Sequence, residues 1–315
     1  MKRLIVLATG LLAVLALTAA PATAGQGGAL SQAGVCNGWE AAGAGVFDSL
    51  GALSSVSNSA RSAGDVTKEP SLNATYEAMP ASANGKGGRK FRANVPVWIH
   101  VISDGATGNV SQAVIDQQMA VQNLSFAAFY GGAKSGFSFT LAGVTRTDNA
   151  EWYNARAGGN AERDMKKTLH RGGFETLNVY TNLAGGYLGY AYLPGLPDSH
   201  LWQDGIVLNW ESMPGASPTF AGRYDLGFTL VHEAGHWFNL EHTFYGGCNA
   251  KGDYVADTPP MRLPTRGCPE GKDTCLEPGL DPIHNYMDYS DDPCYTEFTA
   301  GQVARMQDAW LFHRA

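Results

Sequence analysis

The sequence predicts an α/β domain with a mostly parallel sheet, followed by an irregular region held together by disulfides. Short β-branched and aromatic runs alternate with helical patterns between about residues 91 and 210, which is typical of a parallel sheet flanked by helices. A further helical pattern, over about 225–238, carries the sequence His-Glu-x-x-His. After it, frequent prolines and glycines exclude regular elements until a last helix, and four clustered cysteines can constrain such a stretch.

Residues 1–24 have the pattern of a secretory signal peptide. Lys2 and Arg3 give a positive start, residues 4–17 form a short apolar run, and a small-residue cleavage site ends at Ala24. The run is shorter than the roughly 20 apolar residues of a membrane span, and a retained anchor is the alternative. We expect cleavage after Ala24 and a secreted, extracellular product without a membrane partner.

The charge balance argues against polyanionic partners. The formal net charge of the chain is −7, and removal of the two basic residues of the signal leaves −9. Nucleic acids and anionic membrane surfaces repel a negatively charged chain, so we expect neither as a partner. Acidic clusters in an extracellular protein can instead bind calcium.

The segment 25–90 is rich in Gly, Ala and Ser, so it is not expected to form a core of its own. It is either a flexible linker or a pro-segment that keeps a secreted hydrolase inactive until export. Cys36 favours the pro-segment, because a thiolate is a strong zinc ligand and can displace a catalytic water. The alternative for Cys36 is an unpaired thiol or an intermolecular disulfide. The catalytic domain is then expected over 91–315.

Five strands and two helices are expected up to residue 210. The strands are expected at 95–102, 137–141, 177–181, 187–193 and 206–210, with the Gly-containing fourth at a sheet edge. Ser111 is a candidate cap for the first helix, whose buried stripe is Ile115, Met119, Gln122 and Phe126. A short charged helix is expected over 160–170.

Two helices are expected after residue 210. One begins near Asp225 or Leu226 and ends at about Phe238, and the apolar residues of its packing face are Leu226, Leu230 and Phe238. The other follows Thr299, which forms a capping box with Gln302, and its buried stripe is Val303, Met306 and Trp310.

Three histidines are the candidate ligands of one zinc ion. His232 and His236 are four residues apart, so a helix places both imidazoles on one face. His242 can reach the same ion only if the chain turns after His236, and Asn239 is the candidate for a left-handed residue at that turn. Glu233 lies on the same helix and suits the role of general base.

Three neutral nitrogen ligands leave a fourth zinc position for water, as a catalytic site requires. The alternatives are a closed structural zinc site and solvated histidines on a helix surface. Glu233 argues against a closed structural site, because a carboxylate next to the ligands can act as a general base in hydrolysis, and a structural site does not need one. We therefore expect one catalytic zinc ion.

Two constraints are candidates for holding the irregular region. Asp253, Asp257 and Thr258 lie close together in the sequence and offer the hard oxygen ligands that calcium prefers, although an ordinary solvated acidic turn is the alternative. Four cysteines form two disulfides in an oxidising compartment, and their spacing leaves all three pairings open. These cysteines are Cys248, Cys268, Cys275 and Cys294.

Three segments of the chain resemble the pappalysin family of metzincin zinc peptidases. They are HEAGHWFNLEHTF (232–244), GDYVADTP (252–259) and DPIHNYMDYSDDPC (281–294). The likeness covers about residues 91–315 and is nearest to short secreted fungal, bacterial and archaeal members. It implies a metzincin-like catalytic domain, with a twisted mixed sheet, two long helices above it and an irregular, disulfide-bonded lower subdomain.

The resemblance also implies specific bonds and ligands. It implies the disulfides Cys248–Cys275 and Cys268–Cys294 and a calcium ion near Asp253 to Thr258. A pro-segment cysteine switch is known in the family, which supports this role for Cys36.

Around the metal, the resemblance places Met287 beneath the ion in a Met-turn. The chain departs from the family at Asn239, where glycine is usual. A left-handed Asn239 preserves the zinc geometry, whereas a helical φ there would put His242 in doubt as a ligand.

The predicted function is that of a secreted zinc endopeptidase acting on proteins or peptides and made as a latent zymogen. Glu233 takes a proton from the attacking water, and Tyr289 either donates a hydrogen bond to the developing oxyanion or is a packed aromatic. Asp288, Asp291 and Asp292 either favour a basic residue on the leaving side or are solvated or serve calcium. The alternatives are a zinc hydrolase of non-peptide substrates and a secreted binding protein with a silent zinc site.

Overall fold

The computed structural model describes residues 91–249 and 251–315. The predicted signal peptide (1–24), the predicted pro-segment (25–90) and Cys36 lie outside these residues and stay predictions. In the described part of the chain, no helix combines the length and the apolar character that crossing a membrane requires.

One mixed sheet contains the five strands of the described residues, in the order β2-β1-β3-β5-β4. Its strands are β1 (Ala93–Ser103), β2 (Phe137–Asp148), β3 (Leu177–Asn182), β4 (Gly189–Ala191) and β5 (Ile206–Asn209). The first four in spatial order pair in parallel, and β4 runs antiparallel to β5. The predicted α/β class is confirmed, and β4 lies at an edge as its glycines indicated.

Five α-helices accompany the sheet in the described residues. They are α1 (Gln112–Phe126), α2 (Ala150–Tyr153), α3 (Asn160–Leu169), α4 (Phe228–Trp237) and α5 (Ala300–His313). The predicted caps are confirmed: the Ser111 hydroxyl accepts from the N–H of Val114, and Thr299 and Gln302 form the capping box of α5. The one-turn helix α2 was not predicted, because four residues carry no periodic signal.

Apolar side chains cover both faces of the sheet. Alternate residues of a strand point to opposite faces, so Val97 and Ile99 of β1 join one cluster and Ile102 joins another. The first cluster includes residues of α1, α4 and α5, and the second includes Met165 and Leu169 of α3. The sheet is therefore buried between helices on both sides, which explains its nearly continuous apolar strands.

Helix α4 begins at Phe228, two or three residues later than predicted, and Leu226 does not belong to its packing face. Leu226 is 42% exposed, and Gly227 before the helix has a left-handed φ of 87°. The backbone N–H of Leu226 donates to the Asp292 carboxylate at 2.9 Å. This contact across 66 positions fixes the loop before the helix, and a local pattern cannot show it.

The region between α4 and α5 is irregular, as predicted. Its described residues contain one short 3₁₀ helix (Asp292–Cys294) and no α-helix or strand. Two disulfides cross-link it, Cys248–Cys275 and Cys268–Cys294, which is the pairing that the family resemblance implied. The cross-links restrict a stretch that has few backbone ladders of its own.

Candidate metal centre

The imidazoles of His232 and His236, both on helix α4, are held in the same tautomer. Nδ1 of His232 donates to the carbonyl of Tyr286 at 2.6 Å, and Nδ1 of His236 donates to the carbonyl of Leu240 at 2.8 Å. A carbonyl oxygen can only accept, so each Nδ1 carries the proton and each Nε2 carries a lone pair. Backbone groups behind the two rings thus direct both Nε2 atoms to the same point, as a metal site requires.

The chain reverses directly after α4 at Asn239, whose φ of 75° is left-handed. The N–H of Leu240 donates to the carbonyl of Gly235 at 2.9 Å, and the N–H of Asn239 donates to the carbonyl of His236 at 2.8 Å. These two bonds form the Schellman ending of a helix. The predicted left-handed turn is confirmed, and it brings His242 back beside α4.

The three imidazoles converge in the folded chain. Nε2 of His236 lies 3.1 Å from Nε2 of His232 and 3.0 Å from Nε2 of His242. Two nitrogen lone pairs at this distance repel each other unless a cation lies between them. Tetrahedral zinc bonds of about 2.0–2.1 Å place two nitrogens roughly 3.3 Å apart. The donor set and its spacing therefore fit a zinc ion.

Burial keeps the three rings neutral. It lowers the pKa of His232 to about 3 and that of His236 to about 4, and it lowers the pKa of His242 well below its ordinary value. The neighbouring histidines add to this effect at His232 and His242. A neutral imidazole is the form that binds metal, so the site is ready to bind zinc near pH 7.

Met287 packs directly against α4. A Cβ on Gly235 would lie 2.3 Å from Sδ of Met287, so a larger residue here would require the buried Met287 side chain to move. Met287 is fully buried, and its carbonyl accepts from the N–H of Thr243, the residue after His242. Tyr286, just before it, accepts from His232. This short segment therefore supports two of the three imidazoles, from the position expected for a Met-turn.

Tyr289 lies beside the histidines. Its ring centroid is 4.9 Å from that of His242, 4.9 Å from that of Phe244 and 5.7 Å from that of His232. Burial, with the nearby Glu233 and Asp288 carboxyls, raises its pKa above the ordinary value. The hydroxyl therefore stays protonated and can act as a hydrogen-bond donor.

Glu233 is the one acidic side chain of α4, and it is 6% exposed. Within the described residues its carboxyl has no hydrogen-bond or ion-pair partner, and burial raises its pKa to about 8. A Cβ on Gly189 of the edge strand β4 would lie 2.9 Å from Cγ of Glu233. A buried carboxyl without a partner weakens a fold, so its presence between the edge strand and the histidines indicates a functional site.

The three predicted calcium ligands make different contacts in the fold. The Asp253 carboxylate accepts from the hydroxyl of Thr258 at 2.6 Å, so these two residues are adjacent. Asp257 instead binds the start of α5, where its oxygens accept from the Thr299 hydroxyl at 2.7 Å and the Gly301 N–H at 2.8 Å. Calcium at Asp253, Asp257 and Thr258 stays a prediction, and Asp257 also has a capping role that its sequence position did not reveal.

The aspartates after Met287 bind groups of the protein itself. Asp291 forms a two-point ion pair with Arg223, at 3.1 and 3.2 Å. Asp292 accepts from the Leu226 N–H, and buried Asp288 accepts from the Thr265 N–H at 3.0 Å. The structure thus favours a structural role for all three over recognition of a basic substrate residue. Sequence reasoning missed Arg223, which is 68 positions from its partner.

Comparisons with known proteins agree with this geometry. Residues 174–310 match the model of the Peptidase M43 family, described as pregnancy-associated plasma protein-A. An extracellular metalloprotease of Pyricularia oryzae is 42% identical over 258 residues, covering 80% of this chain and 87% of that protein. One of Arthroderma benhamiae is 40% identical over 279 residues, covering 86% of this chain and 90% of that protein. Both alignments are longer than residues 91–315 and therefore extend into the preceding segment.

Solved structures of mirolysin are similar in fold. Mirolysin in complex with a compound has a TM-score of 0.62 and 28% identity, covering 70% of this chain and 92% of that chain. Mature mirolysin of Tannerella forsythia with a cleaved peptide has a TM-score of 0.57 and 29% identity, covering 68% and 90%.

The Glu233→Gln substitution is expected to stabilise the metal-free protein more at pH 8 than at pH 5. The Glu233 pKa is 4.5 in its ordinary state and about 8 in the fold. Between these values the folded chain keeps a proton that the unfolded chain has lost, so stability falls as pH rises, by up to ~1.4 kcal/mol per pH unit. Glutamine does not ionise and removes this loss. Urea unfolding with a chelator present, from pH 5 to pH 8, measures the difference.

The exposed Glu277 provides a matched control for this measurement, and Glu277→Gln is expected to show no such pH dependence. A stability difference between Glu233→Gln and the unmodified chain that stays constant from pH 5 to pH 8 would contradict the expectation.

Proposed function

We propose that Glu233 is the general base of this chain. The chain belongs to the pappalysin (M43) family of metzincin zinc peptidases and is a zinc metalloendopeptidase. His232, His236 and His242 are the proposed zinc ligands. The observation that carries this proposal is the convergence of three Nε2 atoms beside a buried carboxyl that has no partner among the described residues. A carboxyl beside the metal ligands can accept a proton during hydrolysis, whereas a closed structural zinc site has no use for one.

Each residue contributes a separate step to the chemistry. His232, His236 and His242 would hold the zinc ion, which would act as a Lewis acid and activate water near neutral pH. The Glu233 carboxylate takes the proton of the attacking water and passes it to the leaving amine. The protonated hydroxyl of Tyr289 donates a hydrogen bond to the oxygen on which charge develops.

The position of the edge strand β4 favours a peptide as the substrate. An extended peptide can add to a free strand edge through backbone hydrogen bonds. Gly189 of β4 lies against Glu233, so a peptide along this edge passes the proposed general base. The structure of mature mirolysin contains a cleaved peptide. These observations favour a peptidase over a hydrolase of non-peptide substrates.

Cleavage of casein by the processed protein is the first test. A chelator is expected to stop cleavage, and Glu233→Gln is expected to lower kcat by about 10²- to 10⁴-fold while one zinc ion stays bound, because only the proton acceptor is lost. Glu277→Gln, at an exposed position, is the matched control and keeps full activity. Zinc-loaded protein that leaves casein intact would support a silent binding protein or a non-peptide hydrolase instead.

The Tyr289→Phe substitution separates the two roles considered for this residue. Phenylalanine keeps the ring contacts with His242 and Phe244 and removes only the hydroxyl. We expect kcat to fall by about 10²-fold with KM and zinc content unchanged, since the lost donor acts on the transition state. Steady-state kinetics on a peptide substrate measure this, and an unchanged kcat would show that Tyr289 only packs.

We also propose that the enzyme is secreted as a latent precursor, with a signal peptide (1–24) and a pro-segment (25–90). The relatives reported above are named extracellular metalloproteases, and both alignments with them extend before residue 91. A shared segment ahead of the catalytic domain supports a common precursor organisation. In this proposal the Cys36 thiolate binds the zinc ion until the segment is removed.

The Cys36→Ala precursor is expected to cleave peptides without processing, whereas the unmodified precursor stays latent. Alanine cannot bind zinc, so water keeps the open position. The assay compares activity before and after proteolytic removal of the segment, with Ser31→Ala as the control substitution nearby. Latency that is the same in Cys36→Ala and in the unmodified precursor would exclude the switch.

A further inference from the structure

The last helix holds the turn that leads to His242. Arg305 of α5 is 7% exposed, and its Nε donates to the carbonyl of Asn239 at 2.6 Å. Its guanidinium also lies 5.7 Å from the ring centroid of Tyr254. A buried guanidinium therefore binds the one left-handed residue between the second and third histidines.

This contact fixes a whole peptide plane. The carbonyl of Asn239 binds Arg305, and the N–H of the same peptide group, on Leu240, donates to the carbonyl of Gly235 at 2.9 Å. With both polar groups engaged, the plane cannot rotate without breaking a buried hydrogen bond. The next carbonyl, that of Leu240, accepts from Nδ1 of His236. One peptide group thus orients the segment that positions His236 and then His242.

A second arginine provides a comparison on the same side of the fold. Arg314, directly after α5, donates to the carbonyl of Trp237 at 2.8 and 3.1 Å and forms a buried ion pair with Asp204 at 2.9 Å. It therefore holds the last residue of α4 and not the turn. Both cations suit the negative end of a helix dipole, but only Arg305 contacts the turn between the histidines.

We propose that Arg305 is a positioning residue for the metal centre: its hydrogen bond to Asn239 holds the turn in the conformation that presents His242 to the cation. The inference rests on the proposed zinc site and adds to it a residue more than 60 positions away. Arg305 touches neither the imidazoles nor a substrate in this role, and it acts through the Asn239–Leu240 peptide group.

Metal affinity and metal geometry test this role without using activity. We would compare the unmodified full chain with Arg305→Gln, Arg305→Lys and Arg314→Gln, measuring the zinc Kd by chelator competition and the visible spectrum after cobalt substitution. Arg305→Gln is expected to weaken zinc binding by about 10- to 100-fold, the usual range for groups that orient metal ligands, and to shift the cobalt bands. Arg305→Lys, which keeps a cationic donor, is expected to restore most of the affinity.

Arg314→Gln is the control for general loss of stability. It is expected to lower the urea midpoint of the metal-free protein at least as much as Arg305→Gln, yet to change the zinc Kd by less than about threefold. Zinc affinity and a cobalt spectrum unchanged in folded Arg305→Gln would overturn the inference, and so would equal losses of affinity in Arg305→Gln and Arg314→Gln. An unmodified chain that binds no zinc would overturn the proposed function as well. Failure of the Arg305 role alone would instead leave zinc binding by the unmodified chain intact, so the two outcomes can be told apart.

Discussion

The repulsion among three neutral imidazoles is the constraint on which the rest of this structure depends. Nε2 of His236 lies 3.1 Å from Nε2 of His232 and 3.0 Å from Nε2 of His242, and His232 and His236 face each other with their lone pairs. The protein does not relieve this repulsion with a proton, because burial lowers the pKa of every ring. It holds the rings of His232 and His236 from behind instead, through the carbonyls of Tyr286 and Leu240. A bound cation turns the same arrangement into three attractive contacts.

Such an arrangement needs support from distant parts of the chain. Met287 occupies the space that a side chain at Gly235 would need, and its carbonyl binds the residue after His242. Two buried arginines, Arg305 of α5 and Arg314 directly after it, bind carbonyls at and just beyond the end of α4. The irregular region between these helices contains Met287 and leads on to α5. Two disulfides cross-link this region, whose described residues form no α-helix or strand.

Local signals in the sequence were sufficient to predict much of the fold and the three candidate zinc ligands. The i, i+4 histidines, the left-handed Asn239 and the capping box of Thr299 each depend on neighbours within a few positions. Contacts between distant residues could not be predicted in this way. Asp257 caps α5 across 42 positions, and Asp291 binds Arg223 across 68. The disulfide pairing also stayed open on spacing alone, and only the family resemblance indicated the pairing that the structure contains.

The ionisation states of the buried groups explain how a chain can fold around such a site before it binds metal. With neutral imidazoles and a Glu233 pKa of about 8, the metal-free centre contains almost no charge near pH 7. Folding therefore does not have to bury an isolated ion, which would cost several kcal/mol. A dication at the three Nε2 atoms favours the carboxylate form of Glu233, because opposite charges lower the pKa of an acid. In the proposed mechanism, zinc bound at this site would therefore favour the ionised form of Glu233, the form that the proposed general base needs.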